Sequence, residues 1–124
     1  MKESLTLAEA QNRVDRYISQ FKEGYFSPLA MIARIAEEVG ELAREVNHRY
    51  GEKPKKASEA ESNMMEELGD LFFVLLSFAN SLQISLDEAF DMVMKKYETR
   101  DAHRWTRKES QTNERDEERG VENG

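Results

Sequence analysis

Four carboxylates in this chain fall into two pairs of equal spacing, Glu38 with Glu41 and Glu67 with Asp70. On a helix, residues three apart share a face, so two such helices side by side would bring all four acids together. Bare, the four would repel strongly, and a divalent, oxygen-seeking ion such as Mg²⁺ is the usual physical reason to tolerate them. Glu67 carries most of this reading. At about 100° per residue it falls between Val74 and Phe78, on an apolar arc, while Asp70 lies beside Ser77 and Ser81. A carboxylate among Val and Phe is costly unless it is paired or coordinates a metal.

Other readings of the same residues stay open. An EExxE string such as Glu37, Glu38 and Glu41 is common on solvated helix faces, and Glu66 reads as surface or as support for its neighbours. Salt bridges to Arg34, Arg44, Lys95 or Lys96 are a structural alternative, within one chain or between chains, as in a non-catalytic helical oligomerisation module. A di-iron carboxylate bundle would want Glu-x-x-His on two helices, and neither acid pair has that histidine. His48 reads as a partner of a helix C-terminus and His103 as a surface residue.

The elements that must position these acids are helical. The chain has 124 residues, enough for one domain and one core, and association would help it bury apolar surface. Thr6 with Glu9 forms a capping box ahead of a stripe of Ala10, Val14, Tyr17, Ile18 and Phe21, and Gly24 ends that first helix. Ser27 and Pro28 open a second, running to about Tyr50 with Ile32, Ile35, Ala36, Val39, Leu42, Ala43 and Val46 as its buried stripe. Gly51 and Pro54 stop it. A polar loop follows, in which Ser58 and Glu61 cap a third helix reaching about Leu82. Ser85 and Glu88 cap a fourth, which buries Ala89, Phe90, Val93, Met94 and Tyr97. Residues 106–124 are charged, almost without apolar side chains, and expected to be disordered. Without β alternation, internal repeats or a glycine-rich phosphate loop, the class is all-α, a four-helix bundle or a close variant, with one domain over residues 1–105.

Composition narrows the partners. With 25 acidic against 18 basic residues and a net charge of −7, the chain lacks the electrostatic footprint of a polynucleotide binder. The absence of cysteine excludes disulfides, thiolate catalysis and soft-metal sites, which again favours a hard cation. The N-terminus has no signal-like apolar core, and LFFVLLSFA falls short of the roughly 20 residues of a membrane span, so a soluble cytoplasmic protein with no membrane partner is expected.

Glu37-Glu38-x-x-Glu41, a spacer, then Glu67-x-x-Asp70 resembles the signature of the MazG-like, all-α nucleoside triphosphate pyrophosphohydrolases, EExxE followed by ExxD. The helix ISLDEAFDMVMKKYETR after it is similar to that family too, so the resemblance covers roughly residues 6–105. It implies Mg²⁺-dependent hydrolysis of a nucleoside triphosphate to the monophosphate and pyrophosphate, with Mn²⁺ as a substitute ion, in a service such as clearing noncanonical nucleotides. It also implies a homodimer or homotetramer whose neighbouring helices complete the site. Carried over by position, Glu38, Glu41, Glu67 and Asp70 match the metal-binding acids, Glu37 the first acid, as a support for the metal ligands or a water-orienting base, and Lys96 and Arg100 basic residues that contact phosphate, though both read equally as cations at a helix C-terminus. Met94 stands where many relatives have asparagine. Phosphoribosyl-ATP and dUTP- or dCTP-type pyrophosphohydrolases of the same superfamily are alternatives. Asn80, Phe73, Tyr97 and Trp105 are within reach of base recognition by residue type, but aromatics at helical spacing are more often core, and none is assigned.

Overall fold

A computed structural model describes residues 4–51 and 57–108, with the side chains of 57–63 excepted. Among these residues there are four helices and no strand: α1 (Leu7–Ile18), α2 (Pro28–Tyr50), α3 (Ala57–Ser81) and α4 (Leu86–Arg100). The all-α expectation holds. The chain divides into two compact units, Met1–Phe90 and Asp91–Gly124. In the first, α3 packs along α2 and also against α1. Residues 109–124, most of the expected tail, lie outside the described residues, as do Pro54 and the side chains of the Ser58–Glu61 box. No single described helix is long and apolar enough to cross a membrane.

The caps follow local chemistry. The Thr6 hydroxyl accepts from Glu9 N–H at 3.1 Å and donates to the Glu9 carboxylate at 3.0 Å. Ser27 accepts from Ala30 N–H at 3.2 Å ahead of Pro28, whose missing N–H costs nothing in a first turn. Ser85 accepts from Glu88 N–H at 3.2 Å. At the other end of α2, Gly51 N–H reaches Asn47 O at 2.7 Å, and a Cβ on Gly51 would run into that carbonyl. Gln83 adopts a left-handed conformation at φ 57° so that Ile84 N–H reaches back to Ala79 O at 2.9 Å, which closes α3.

One helix end departs from the sequence reading. α1 stops at Ile18, well before Gly24. Bonds spaced by three residues replace the helical ladder there, from Phe21 N–H to Ile18 O at 3.1 Å and from Gly24 N–H to Phe21 O at 3.3 Å. Gly24, at φ 64°, turns the chain in a later corner instead of capping the helix.

The tie that fixes α1 is Gln11. Its amide donates to Asn80 Oδ1 at 2.9 Å and Ile84 O at 2.8 Å, and its Oε1 accepts from Leu86 N–H at 2.9 Å. Asn80 answers by donating to Gln11 O at 2.8 Å. At about 0.5–1.5 kcal/mol net per hydrogen bond, Gln11→Ala is expected to cost about 2–3 kcal/mol in urea unfolding, part of it from polar groups stranded on Asn80 and Leu86.

Val14, Met31, Val74, Leu76 and Ala79 form the buried core, joined by Ser77. The expected stripes are only partly covered. On α2, Ile32 and Val39 are about half exposed at 50% and 48%, Val46 is exposed as well, and so are the small Ala36 and Ala43. On α4, Phe90, Val93, Met94 and Tyr97 are exposed, against the burial expected of them, and only Ala89 is half-buried. Apolar periodicity marks a face that wants cover, and these exposed positions keep a third or more of their surface uncovered.

Candidate active site

α2 and α3 lie side by side, so the acids at their facing edges converge. One carboxylate oxygen each from Glu38, Glu67 and Asp70 lie within 4.8 Å of one another. Glu41, three residues after Glu38, lies close enough for its charge to act on both Glu38 and Glu67. Glu38 and Glu67 are half-buried whereas Glu41 and Asp70 are exposed, so the cluster has a protein wall on one side and opens outward on the other. Glu38 Oε2 and Glu67 Oε2 are buried and accept no hydrogen bond. That leaves two strong acceptors without a donor in a place where each is expensive.

The electrostatics follow. Desolvation, then the neighbouring Glu41 carboxylate, then the charges of Asp70 and Glu38 push the Glu67 carboxyl up to about 7. Glu38 is raised by burial first and by Glu41 and Asp70 next, with Arg34 easing it. The donors are all hard oxygens at the spacing of a shared centre, and they fit a divalent ion of the Mg²⁺ kind. Of the cations in the structural alternative, Lys95 is held by Asp91 at 2.9 Å and Arg34 acts on Glu38 through its charge, while among the described residues no ion pair joins Arg34, Arg44 or Lys96 to the cluster.

The other sequence candidates lie elsewhere. Glu37 and Glu66 are exposed, each one residue from a clustered acid. Lys96 and Arg100 are exposed on the portion of α4 that belongs to the second unit, where Lys96 Nζ sits 5.1 Å from the centroid of the Tyr97 ring. His48 is half-buried in the last turn of α2, and His103 is exposed.

A cleft of about 360 Å³ opens on the same two helices, bounded also by α1 and the segment after it. Tyr17, Phe21, Tyr25, Phe26 and Phe73 make it aromatic, with Ser77 and Arg34 in its lining. Tyr17 meets Phe21 and Phe73 edge to face at 5.3 and 6.2 Å. The Tyr25 hydroxyl donates to Asp15 at 2.6 Å, and burial followed by that bond raises it to about 12. Arg34 is one turn before Glu38, and Phe73 one turn after Asp70, so the cleft lies next to the acids along both helices. The sequence reading did not assign this cleft. Of its unassigned candidates, Phe73 lines the cleft, Asn80 is engaged by Gln11, and Tyr97 and Trp105 are exposed in the second unit. The available signal was Tyr17 and Phe21 four apart, followed closely by Tyr25 and Phe26.

The all-α fold, with ExxE and ExxD acids converging on neighbouring helices, has the arrangement expected from the resemblance to the all-α pyrophosphohydrolases. Residues 26–105 match the MazG nucleotide pyrophosphohydrolase domain. The chain is 69% identical to YpjD of Bacillus subtilis (strain 168) over 104 residues, covering 84% of this chain and 94% of that one. The crystal structure of YpjD from Bacillus subtilis is similar at TM-score 0.73 and 65% identity, over 79% of this chain and 100% of that chain. That of the Bacillus-conserved MazG protein, a nucleotide pyrophosphohydrolase, is similar at TM-score 0.71 and 56% identity, over 80% and 96%. The chain belongs to the MazG nucleotide pyrophosphohydrolase family. It is a hydrolase acting on nucleotide pyrophosphate bonds.

Proposed function

We propose that this protein hydrolyses nucleoside triphosphates to the monophosphate and pyrophosphate with Mg²⁺ held by Glu38, Glu41, Glu67 and Asp70. The observation that carries the reading is the pair of buried, donorless carboxylate oxygens on Glu38 and Glu67 inside a cluster of acids from two helices. When bound, the ion neutralises the polyphosphate and lowers the cost of charge on the leaving pyrophosphate. The chain supplies the rest. Glu37, exposed beside Glu38, orients the attacking water and takes its proton. The aromatic cleft receives the base, whose π face stacks on Tyr17 or Phe73. Lys96 and Arg100 offer cations to the phosphates. A second copy of the chain covers the exposed Ile32, Val39 and Val46 of α2 and the exposed Leu68, Phe72 and Leu75 of α3, giving a homodimer or homotetramer.

The test is pyrophosphate release from a panel of ribo- and deoxyribonucleoside triphosphates, with Mg²⁺ and with excess EDTA. Release that EDTA stops and Mg²⁺ restores is expected, and release indifferent to EDTA would overturn the metal assignment. The same panel, extended to phosphoribosyl-ATP, dUTP and dCTP, separates the related activities.

Metal affinity carries a pH signature. Glu67 titrates near 7 in the folded, metal-free protein and near 4.5 in the unfolded chain, so between those values the folded state holds the extra proton. Metal-free stability therefore falls as pH rises from about 4.5 to about 7 and then levels. An ion must displace that proton below pH 7, so Mg²⁺ affinity measured by calorimetry is expected to climb up to about pH 7 and flatten above it.

A further inference from the structure

We infer that Arg34 binds the α-phosphate of the nucleotide, at the junction between the aromatic cleft and the acidic cluster. This rests on the reading of the cleft as the nucleoside site. Arg34 lines the cleft, and its position one turn before Glu38 places it where the cleft meets the acids. A nucleotide with its base among Tyr17 and Phe73, and its β- and γ-phosphates at the acids, passes its α-phosphate between the two. That phosphate is anionic and its neighbours there are carboxylates, so it needs a cation from the chain. Among the residues lining the cleft Arg34 is the cation, and among the described residues no hydrogen bond or ion pair uses its guanidinium. Its planar fork suits two non-bridging phosphate oxygens at once. Arg34 also softens the charge around Glu38, but it is exposed, so its removal leaves the core untouched.

The experiment compares affinities for thymidine, 2′-deoxycytidine, adenosine and guanosine with those for their 5′-monophosphates, by calorimetry in metal-free buffer. Wild type, Arg34→Ala and Arg34→Lys are measured, with thermal melts to establish that each is folded. The ratio of monophosphate to nucleoside affinity is expected to fall roughly tenfold in Arg34→Ala, with nucleoside affinity unchanged, and to recover in part in Arg34→Lys. An unchanged ratio in Arg34→Ala overturns the proposal while leaving the cleft as the nucleoside site. Equal losses for nucleoside and monophosphate overturn it too, since Arg34 would then only shape the cleft. Wild-type protein that binds none of the nucleosides or monophosphates refutes the nucleoside reading of the cleft, and the proposal with it.

Discussion

Glu67→Gln is expected to release pyrophosphate about 10²–10⁴-fold more slowly than wild type, while its metal-free form melts at a higher temperature. The two effects have one origin. Glu67 is where burial and the charges of Glu41, Asp70 and Glu38 converge, and its carboxyl is driven up to about 7 in consequence. An amide of the same shape abolishes that repulsion, so the fold is expected to gain, and it removes an anionic oxygen from the proposed metal site, so turnover is expected to fail. The gain is largest at pH 8, where wild-type Glu67 is ionised, and shrinks toward pH 5, where the wild-type carboxyl is already neutral. Initial rates with saturating Mg²⁺ and metal-free melts at both pH values check it. Full activity would remove Glu67 from the metal site, and a lower melting temperature would indicate that the acids are held by stabilising ion pairs.

Tyr17→Ala is expected to raise KM for nucleoside triphosphates by about ten- to a hundredfold with kcat changed much less, in steady-state kinetics. Stacking of a base on an aromatic ring is worth about 1–3 kcal/mol by alanine substitution, and Tyr17 contacts both Phe21 and Phe73 across the cleft, so its loss also loosens their rings. The residue is 54% exposed, which keeps the cost to folding small. The proposed chemical step belongs to acids on other helices, hence the expected split between KM and kcat.

The acidic pairs were legible because helical periodicity is a rigid ruler: placing Glu67 between Val74 and Phe78 announced a carboxylate on the packed side of α3, and it is half-buried there. The caps at Thr6, Ser27 and Ser85 were legible for the same reason, being local. What the ruler could not supply was the partner of each face. Val39 and Phe90 share the periodicity of core residues and are exposed. The end of α1 at Ile18 was settled by three-residue bonds after Ser19, which compete closely with another helical turn and leave little trace in residue type. The aromatic cleft was hidden differently: Tyr25 and Phe26 stand in an irregular segment with no period, and they share a cleft with Phe73 only once α1 packs on α3. Gln11 and Asn80, far apart in sequence, offered no signal of their engagement.

The bonds at Gln11 have a kinetic side. The first turns of α1 and α4 are tied in both directions, since Gln11 Oε1 takes the Leu86 N–H while Asp87 Oδ2 takes the Ala8 N–H at 3.1 Å. Unwinding of α4 from its start releases the Ala8 amide, and unwinding of α1 as far as Gln11 releases the Leu86 amide. Opening of the N-terminal helix and of the turn that follows α3 is therefore expected to be coupled, and matched hydrogen-exchange protection of the Ala8 and Leu86 amides would show it.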